Sequence, residues 1–234
     1  MNESRNLYAS AALQTNKEKF LVLSLLPKRL KTILCLGAHC DDIEIGCGGA
    51  MLRLAREFPD VEVYWAVFGS DVIRAREAQD SASKFLRTIQ HKTVVINEFK
   101  NSFFPYCGAQ IKERFEQLKG EVTPDIIFTH YREDLHQDHK IVSELTWNTF
   151  RDNLILEYEI PKYDGDLGRP NLFVPLAEEE WQLKIDNIFE SFESQKDKHW
   201  FTRETFQSTM RLRGIESNAP SGYAEAFFCR KAAF

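Results

Sequence analysis

The chain has 234 residues, 43% of them apolar and 28% charged, and a net charge of -5. This length suits one domain with a sizeable core, and the acidic balance argues against a broad nucleic-acid surface, which would be basic. No apolar run approaches the roughly 18 to 20 residues that span a bilayer. Residues 1–19 lack the basic-then-apolar pattern of a signal peptide, so a cytoplasmic protein with no integral membrane segment is expected. The five cysteines (35, 40, 47, 107 and 229) are odd in number and include no C-x-x-C pair, which argues against a disulfide framework.

Residues 1–28 read as an N-terminal extension and residues 29–234 as a single domain. The apolar run at 30–37 (LKTILCLG) predicts a buried strand. A helix is expected over 46–56 and a β-branched, aromatic strand over 61–68 (VEVYWAVF). Then follow a helix over 71–87, a short strand at 93–96, a helix over 110–119 and a strand at 124–130 (PDIIFTH). A helix opens at Gln137 or Asp138 and runs to Phe150. Strand and helix alternate from residue 31 to 150, which points to parallel βαβ units in a three-layer α/β domain. Beyond residue 151 come a strand over 154–160, an ordered loop and short strand within 161–175, helices over 178–194 and 202–213, and a closing strand at 223–230.

Two acidic, histidine-bearing segments lie about a hundred residues apart: Gly37-Ala38-His39-Cys40-Asp41-Asp42-Ile43-Glu44 and Asp134-Leu135-His136-Gln137-Asp138-His139. Each follows a predicted strand, and open parallel sheets bind ligands at the carboxyl ends of their strands. Catalytic zinc takes three protein ligands from His and carboxylate and keeps a position for water. His39, Asp42 and His139 would form such a set, leaving Asp41 free to act as base on the water. His136 could donate to an oxyanion or protonate a leaving amine, with Asp138 orienting it through the second ring nitrogen.

GAHCDDIEIGCGG resembles the Ala-His-Pro-Asp-Asp signature of the LmbE-like, or PIG-L, N-deacetylases, and HYREDLHQDH resembles their second signature, with core His-x-Asp-His. Arg74-Ala75-Arg76-Glu77 looks like the family's Arg-x-x-Glu, and YAEAF at 223–227 like its C-terminal pattern. The resemblance implies a Rossmann-like fold and a catalytic zinc on His39, Asp42 and His139. It implies Asp41 as base, His136 as acid or oxyanion donor, and Arg74 as a substrate contact. It also implies a small N-acetyl amino-sugar substrate or conjugate, with acetate as the other product. His/carboxylate donors also accept iron or another divalent metal, and the sequence is compatible with an oligomer.

Several positions carry a second reading. Cys40 stands where the signature has Pro, as a neutral replacement or a soft ligand. Asp41-Asp42 could be no more than a helix N-cap. His130 could line the site or serve the structure, while His91 and His199 read as surface residues. Arg74 faces the site if Arg76 faces solvent, or it partners Asp71. The Gly46-Cys47-Gly48-Gly49 run lacks the full dinucleotide fingerprint and suits close helix-sheet packing. The charged segment 157–166 reads as a solvated loop or a substrate-facing rim. Other functional readings are hydrolysis of another amide, such as a thiol conjugate or acylated antibiotic, and a non-catalytic sugar-binding protein. A nucleotide-dependent oxidoreductase rests on fold analogy alone.

Overall fold

The apolar run after residue 30 forms β1 (Thr32–Gly37), buried along all but its first residue. The computed structural model describes residues 25 and 27–233. Most of the extension expected over 1–28, with the stretch read for a signal peptide, therefore lies outside the described residues. The elements continue as α1 (Asp42–Glu57), β2 (Glu62–Gly69), α2 (Val72–Phe85), β3 (Lys92–Phe99), α3 (Gly108–Glu121), β4 (Ile126–His130) and α4 (Gln137–Thr149). They end with β5 (Leu154–Tyr158), β6 (Leu172–Pro175), α5 (Glu178–Ser191), α6 (Arg203–Glu216) and β7 (Ala224–Cys229). Short 3-10 turns occupy Phe104–Tyr106 and Glu193–Gln195.

The strands form one seven-stranded sheet in the order β3-β2-β1-β4-β5-β7-β6. The first five are parallel, and β7 runs antiparallel to both β5 and β6. Two apolar cores flank the sheet. One packs Ile43, Met51 and Leu54 of α1 with Phe85 of α2, Ile188 of α5 and Met210 of α6. The other packs Ile111, Phe115 and Leu118 of α3 with Val142 of α4. This is the three-layer, Rossmann-like α/β arrangement that the strand-helix alternation predicts. Among the described residues, no helix is long and apolar enough to cross a membrane.

Two differences from the sequence reading have physical causes. Helix α1 starts at Asp42, not residue 46, and takes the glycine run inside it. Glycine is a poor helix former, but a Cβ on Gly46 would lie 2.2 Å from Cδ2 of Tyr158, so close packing on β5 selects it. Strand β3 is longer than expected and half-exposed, because an edge strand tolerates polar residues such as Asn97 and Glu98.

The middle of α1 is held by side chains from the far end of the chain. Glu225 of β7 accepts from the Gly49 and Ala50 N–H groups at 2.8 and 2.6 Å. Lys184 of α5 donates to the Ile45 carbonyl and to Glu225, both at 2.6 Å. Both charged groups are buried, and each satisfies the other, as a buried charge requires.

Candidate metal and catalytic site

Strand order explains how segments a hundred residues apart meet. The chain leaves β1 for β2 and β3 on one side, then returns to lay β4 along the other side of β1. The carboxyl ends of β1 and β4 thus flank the point where the order reverses, which is where such sheets bind ligands. His39, Asp41 and Asp42 follow β1, and Asp134 to His139 follow β4.

His39, Asp42 and His139 converge. His39 Nδ1 lies 3.1 Å from His139 Nε2 and 3.4 Å from Asp42 Oδ2, and His139 Nε2 lies 3.5 Å from Asp42 Oδ1. Three donors on a tetrahedral zinc, with bonds of about 2.0–2.1 Å, are about 3.3 Å apart. The rear nitrogen of each histidine faces a carboxylate: His39 Nε2 meets Asp138 at 3.1 Å, and His139 Nδ1 meets Asp134 at 2.9 Å. A carboxylate behind an imidazole fixes the proton on that nitrogen and leaves the lone pair on the other. The two facing nitrogens, 3.1 Å apart, then share a proton in the metal-free protein or present two lone pairs to a metal once that proton leaves. The cluster therefore fits a divalent metal.

The electrostatics agree. Burial alone would lower His39, but the Asp42 and Asp138 carboxylates outweigh it and raise its pKa to about 10. Burial and the neighbouring His130 push His139 down to about 3. Burial would raise Asp42, but His139, His130 and His39 hold it well below the usual carboxylate range. The cluster thus takes up a single positive charge readily and resists a second proton.

Asp41 is the N-cap residue of α1, yet its side chain makes no cap hydrogen bond. Its carboxylate is buried and pairs with the Arg74 guanidinium at 2.9 Å. Arg74 is also held by Glu77 at 3.0 Å and lies over the Phe192 ring at 5.1 Å. Arg76 is exposed, so Arg74 is the member of the pair that reaches the site. Asp71 binds the Arg74 backbone, not its side chain, as the N-cap of α2.

His136 is the N-cap of α4: its Nδ1 accepts from the Asp138 N–H at 3.2 Å, which leaves the proton on Nε2. A ring nitrogen of His136 lies within 4.8 Å of ligand atoms on His39 and His139. Burial and the neighbouring His39 lower its pKa, so the neutral form prevails near pH 7. The expected role of Asp138 toward the His136 ring needs correction. The Asp138 carboxylate is taken by His39 and by the Ser102 and Phe104 N–H groups at 2.6 and 3.2 Å, so it positions His39 instead. Ser102 reaches it with a left-handed backbone, φ 67°.

The remaining ambiguous positions also resolve. The Cys40 thiol is buried and points to the Gly69 carbonyl at 3.4 Å, away from the cluster; burial pushes its pKa up. His130 is fully buried, stacks on His139 at 3.9 Å and accepts from the Ala38 N–H at 2.9 Å, so it lines the floor. With Asp42 and His139 it forms a second close group of ligand atoms, beside His39, His136 and His139. His91 and His199 are exposed. In the 157–166 segment, Glu157 is buried against Arg230 and Trp147, and Glu159 against Arg213. That stretch is therefore neither a solvated loop throughout nor wholly a rim. Sequence reading missed Asp134 and Lys162. Asp134 lay inside the quoted motif, and its signal was a carboxylate five residues before a candidate ligand histidine.

The profile of the PIG-L family, described as GlcNAc-PI de-N-acetylase, matches residues 34–150. An uncharacterised deacetylase of Escherichia coli (strain K12), YaiS, is 30% identical over 173 residues, covering 70% of this chain and 91% of that protein. Among solved structures, the N,N'-diacetylchitobiose deacetylase from Pyrococcus horikoshii is similar at TM-score 0.66 and 21% identity, over 86% of this chain and 84% of that one. The 4-carboxy-2-hydroxymuconate hydratase GalB of Pseudomonas putida KT2440 is similar at TM-score 0.69 and 16% identity, over 88% and 98%. The chain belongs to the PIG-L (LmbE-like) family, and with it to the hydrolases that act on an amide bond.

Proposed function

We propose that the protein is a zinc-dependent N-deacetylase acting on an N-acetyl amino sugar or its conjugate. The observation that carries this is the convergence of His39 Nδ1, His139 Nε2 and the Asp42 carboxylate, whose two oxygens face one histidine each, at 3.1 to 3.5 Å, with a carboxylate behind each imidazole. These three residues would hold the metal. Zinc there supplies polarisation of the acyl carbonyl and acidification of a water.

Asp41 takes the proton of the attacking water, and Arg74 holds one of its oxygens so that the other faces the reaction. His136, neutral and protonated on Nε2, donates to the carbonyl oxygen as negative charge develops on it. Asp41 or His136 then delivers a proton to the departing amine, and acetate is the second product. Asp138 and Asp134 position the two ligand imidazoles. Arg74, with one face on Phe192, is the residue for a hydroxyl or carbonyl of the sugar.

The family and the relatives named as deacetylases support the reaction class. The hydratase of the same fold shows that this scaffold also carries other chemistry, so acetate release is the deciding readout. Zinc-loaded protein is incubated with N-acetylated sugars, nucleotide sugars and glycolipids, and acetate and free amine are quantified. Release in equal amounts from at least one class is expected. No acetate from any of them overturns the reading.

A further inference from the structure

Lys162 lies in the loop after β5, outside both motifs. Its ammonium sits between two carboxylates, 2.9 Å from Asp134 Oδ2 and 2.6 Å from Asp166, with side-chain exposures of only 10, 2 and 5%. Asp134 Oδ2 is the same atom that receives His139 Nδ1 at 2.9 Å. The other Asp134 oxygen accepts the His136 N–H at 2.8 Å, and Asp166 accepts the Leu135 N–H at 2.6 Å. Asp134, Leu135 and His136, the stretch of the β4–α4 loop that leads into α4, are therefore tied, through two acids, to one cation.

We infer that Lys162 is a positioning residue for the metal site: it latches the β5 loop onto Asp134 and so holds the His139 ring with Nε2 toward the metal. This rests on the reading of His139 as a ligand. Two effects compete. A cation one carboxylate and one imidazole from a dication repels it, which by itself would make removal of Lys162 tighten metal binding. Asp166 neutralises that charge at 2.6 Å, so the electrostatic contribution is small. Without the ammonium, Asp134 and Asp166 are left as two buried like charges side by side, and each turns away from the other. Asp134 then no longer fixes His139. Partners behind a ligand histidine are typically worth ten- to hundred-fold in metal affinity, and the loss of Lys162 falls in that range.

Zinc affinity is measured by chelator competition, independently of turnover, on wild type, Lys162→Met and Lys162→Arg. The methionine variant binds at least about tenfold more weakly, and arginine restores most of the loss. Lys162→Gln provides the same comparison if the methionine variant does not fold. In an Asp134→Asn background, Lys162→Met changes affinity no further, as expected when two residues act through one contact. Wild-type or tighter affinity in the methionine and glutamine variants, or full additivity with Asp134→Asn, overturns the inference. Zinc binding by the wild type without acetate release from any substrate refutes the deacetylase reading and leaves this one standing. Acetate release with unchanged zinc affinity in the Lys162 variants does the reverse.

Discussion

The two loops that meet at the switch point are supported in different ways. The β1–α1 loop is held from within and by the two strands beside β1: the His39 N–H donates to Asp42 at 2.6 Å, the Gly69 N–H of β2 fixes the Ala38 carbonyl at 2.8 Å, and His130 of β4 accepts from the Ala38 N–H at 2.9 Å. The β4–α4 loop is held from outside, by the Ser102 and Phe104 amides on Asp138 and by Lys162 and Asp166 on Asp134 and Leu135. Yet the second loop, with the first turn of α4, supplies the carboxylate behind both His39 and His139. A short loop fixed by its neighbouring strands can thus present the two proposed ligands and the proposed base, because its partner carries the groups that orient His39 and His139.

The sharpest way to break this comparison is Asp41→Asn. Asp41 makes no cap bond and belongs to neither close group of ligand atoms, so zinc content stays at wild-type stoichiometry while turnover falls about a thousandfold. Elemental analysis beside an acetate assay checks both, and lost metal would make Asp41 a ligand. The next largest effect lies at Glu44, in the first turn of α1. Its carboxyl is fully buried with no hydrogen bond of its own, and burial, partly offset by the nearby Ser81 hydroxyl, raises its pKa to about 8. The unfolded chain releases this proton near its ordinary value of 4.5, while the folded chain keeps it until about 8. Stability of the metal-free protein therefore falls as pH rises between those values. Glu44→Gln removes this slope and gains a few kcal/mol at pH 7 to 8, read from urea unfolding at several pH values.

Asp138→Asn tests the externally supported loop. Losing the charge behind His39 lowers zinc affinity about ten- to hundred-fold, and Asp134→Asn does the same behind His139. A loss in one but not the other would mean that the β4–α4 segment does not orient both histidines. The smallest effect is on pH. The metal-free cluster holds a proton on His39 up to about pH 10, and that proton must leave before Nδ1 can bind metal. Zinc affinity therefore rises about tenfold per pH unit from 6 to 9, and calorimetry in buffers of different ionisation enthalpy registers about one proton released. A flat profile would show that His39 is already neutral.

The residues proposed as metal ligands stand out in the sequence because the chemistry demands a few residue types in fixed spacing, each just past an apolar run. The strand-helix alternation gave the layers for the same local reason. Adjacency of β1 and β4 was not legible as such, since pairing order is set by the packing of helices over a hundred residues. The start of α1 was misread because glycines lower helix propensity, although the close packing expected of them is there, with Tyr158, Phe85 and Leu176 filling the space a Cβ on Gly46, Gly48 or Gly49 would need. Asp138 was assigned to its chain neighbour His136, whereas its carboxylate finds His39 and two amides of the β3–α3 loop through space. Lys162, in a charged stretch that resembles any surface loop, has no local signal at all. Such orienting contacts join loops from different strands, and one-dimensional spacing does not encode them.

The Lys184–Glu225 pair seated against α1 has a temporal consequence. A chain emerging from the ribosome presents His39, Asp41 and Asp42 early, but the residues that grip the middle of their helix arrive some 140 to 180 positions later. The fully gripped form of α1 therefore waits for β7. The helix that follows His39, Asp41 and Asp42 thus acquires its last buried contacts only after residues 184 and 225 have been made.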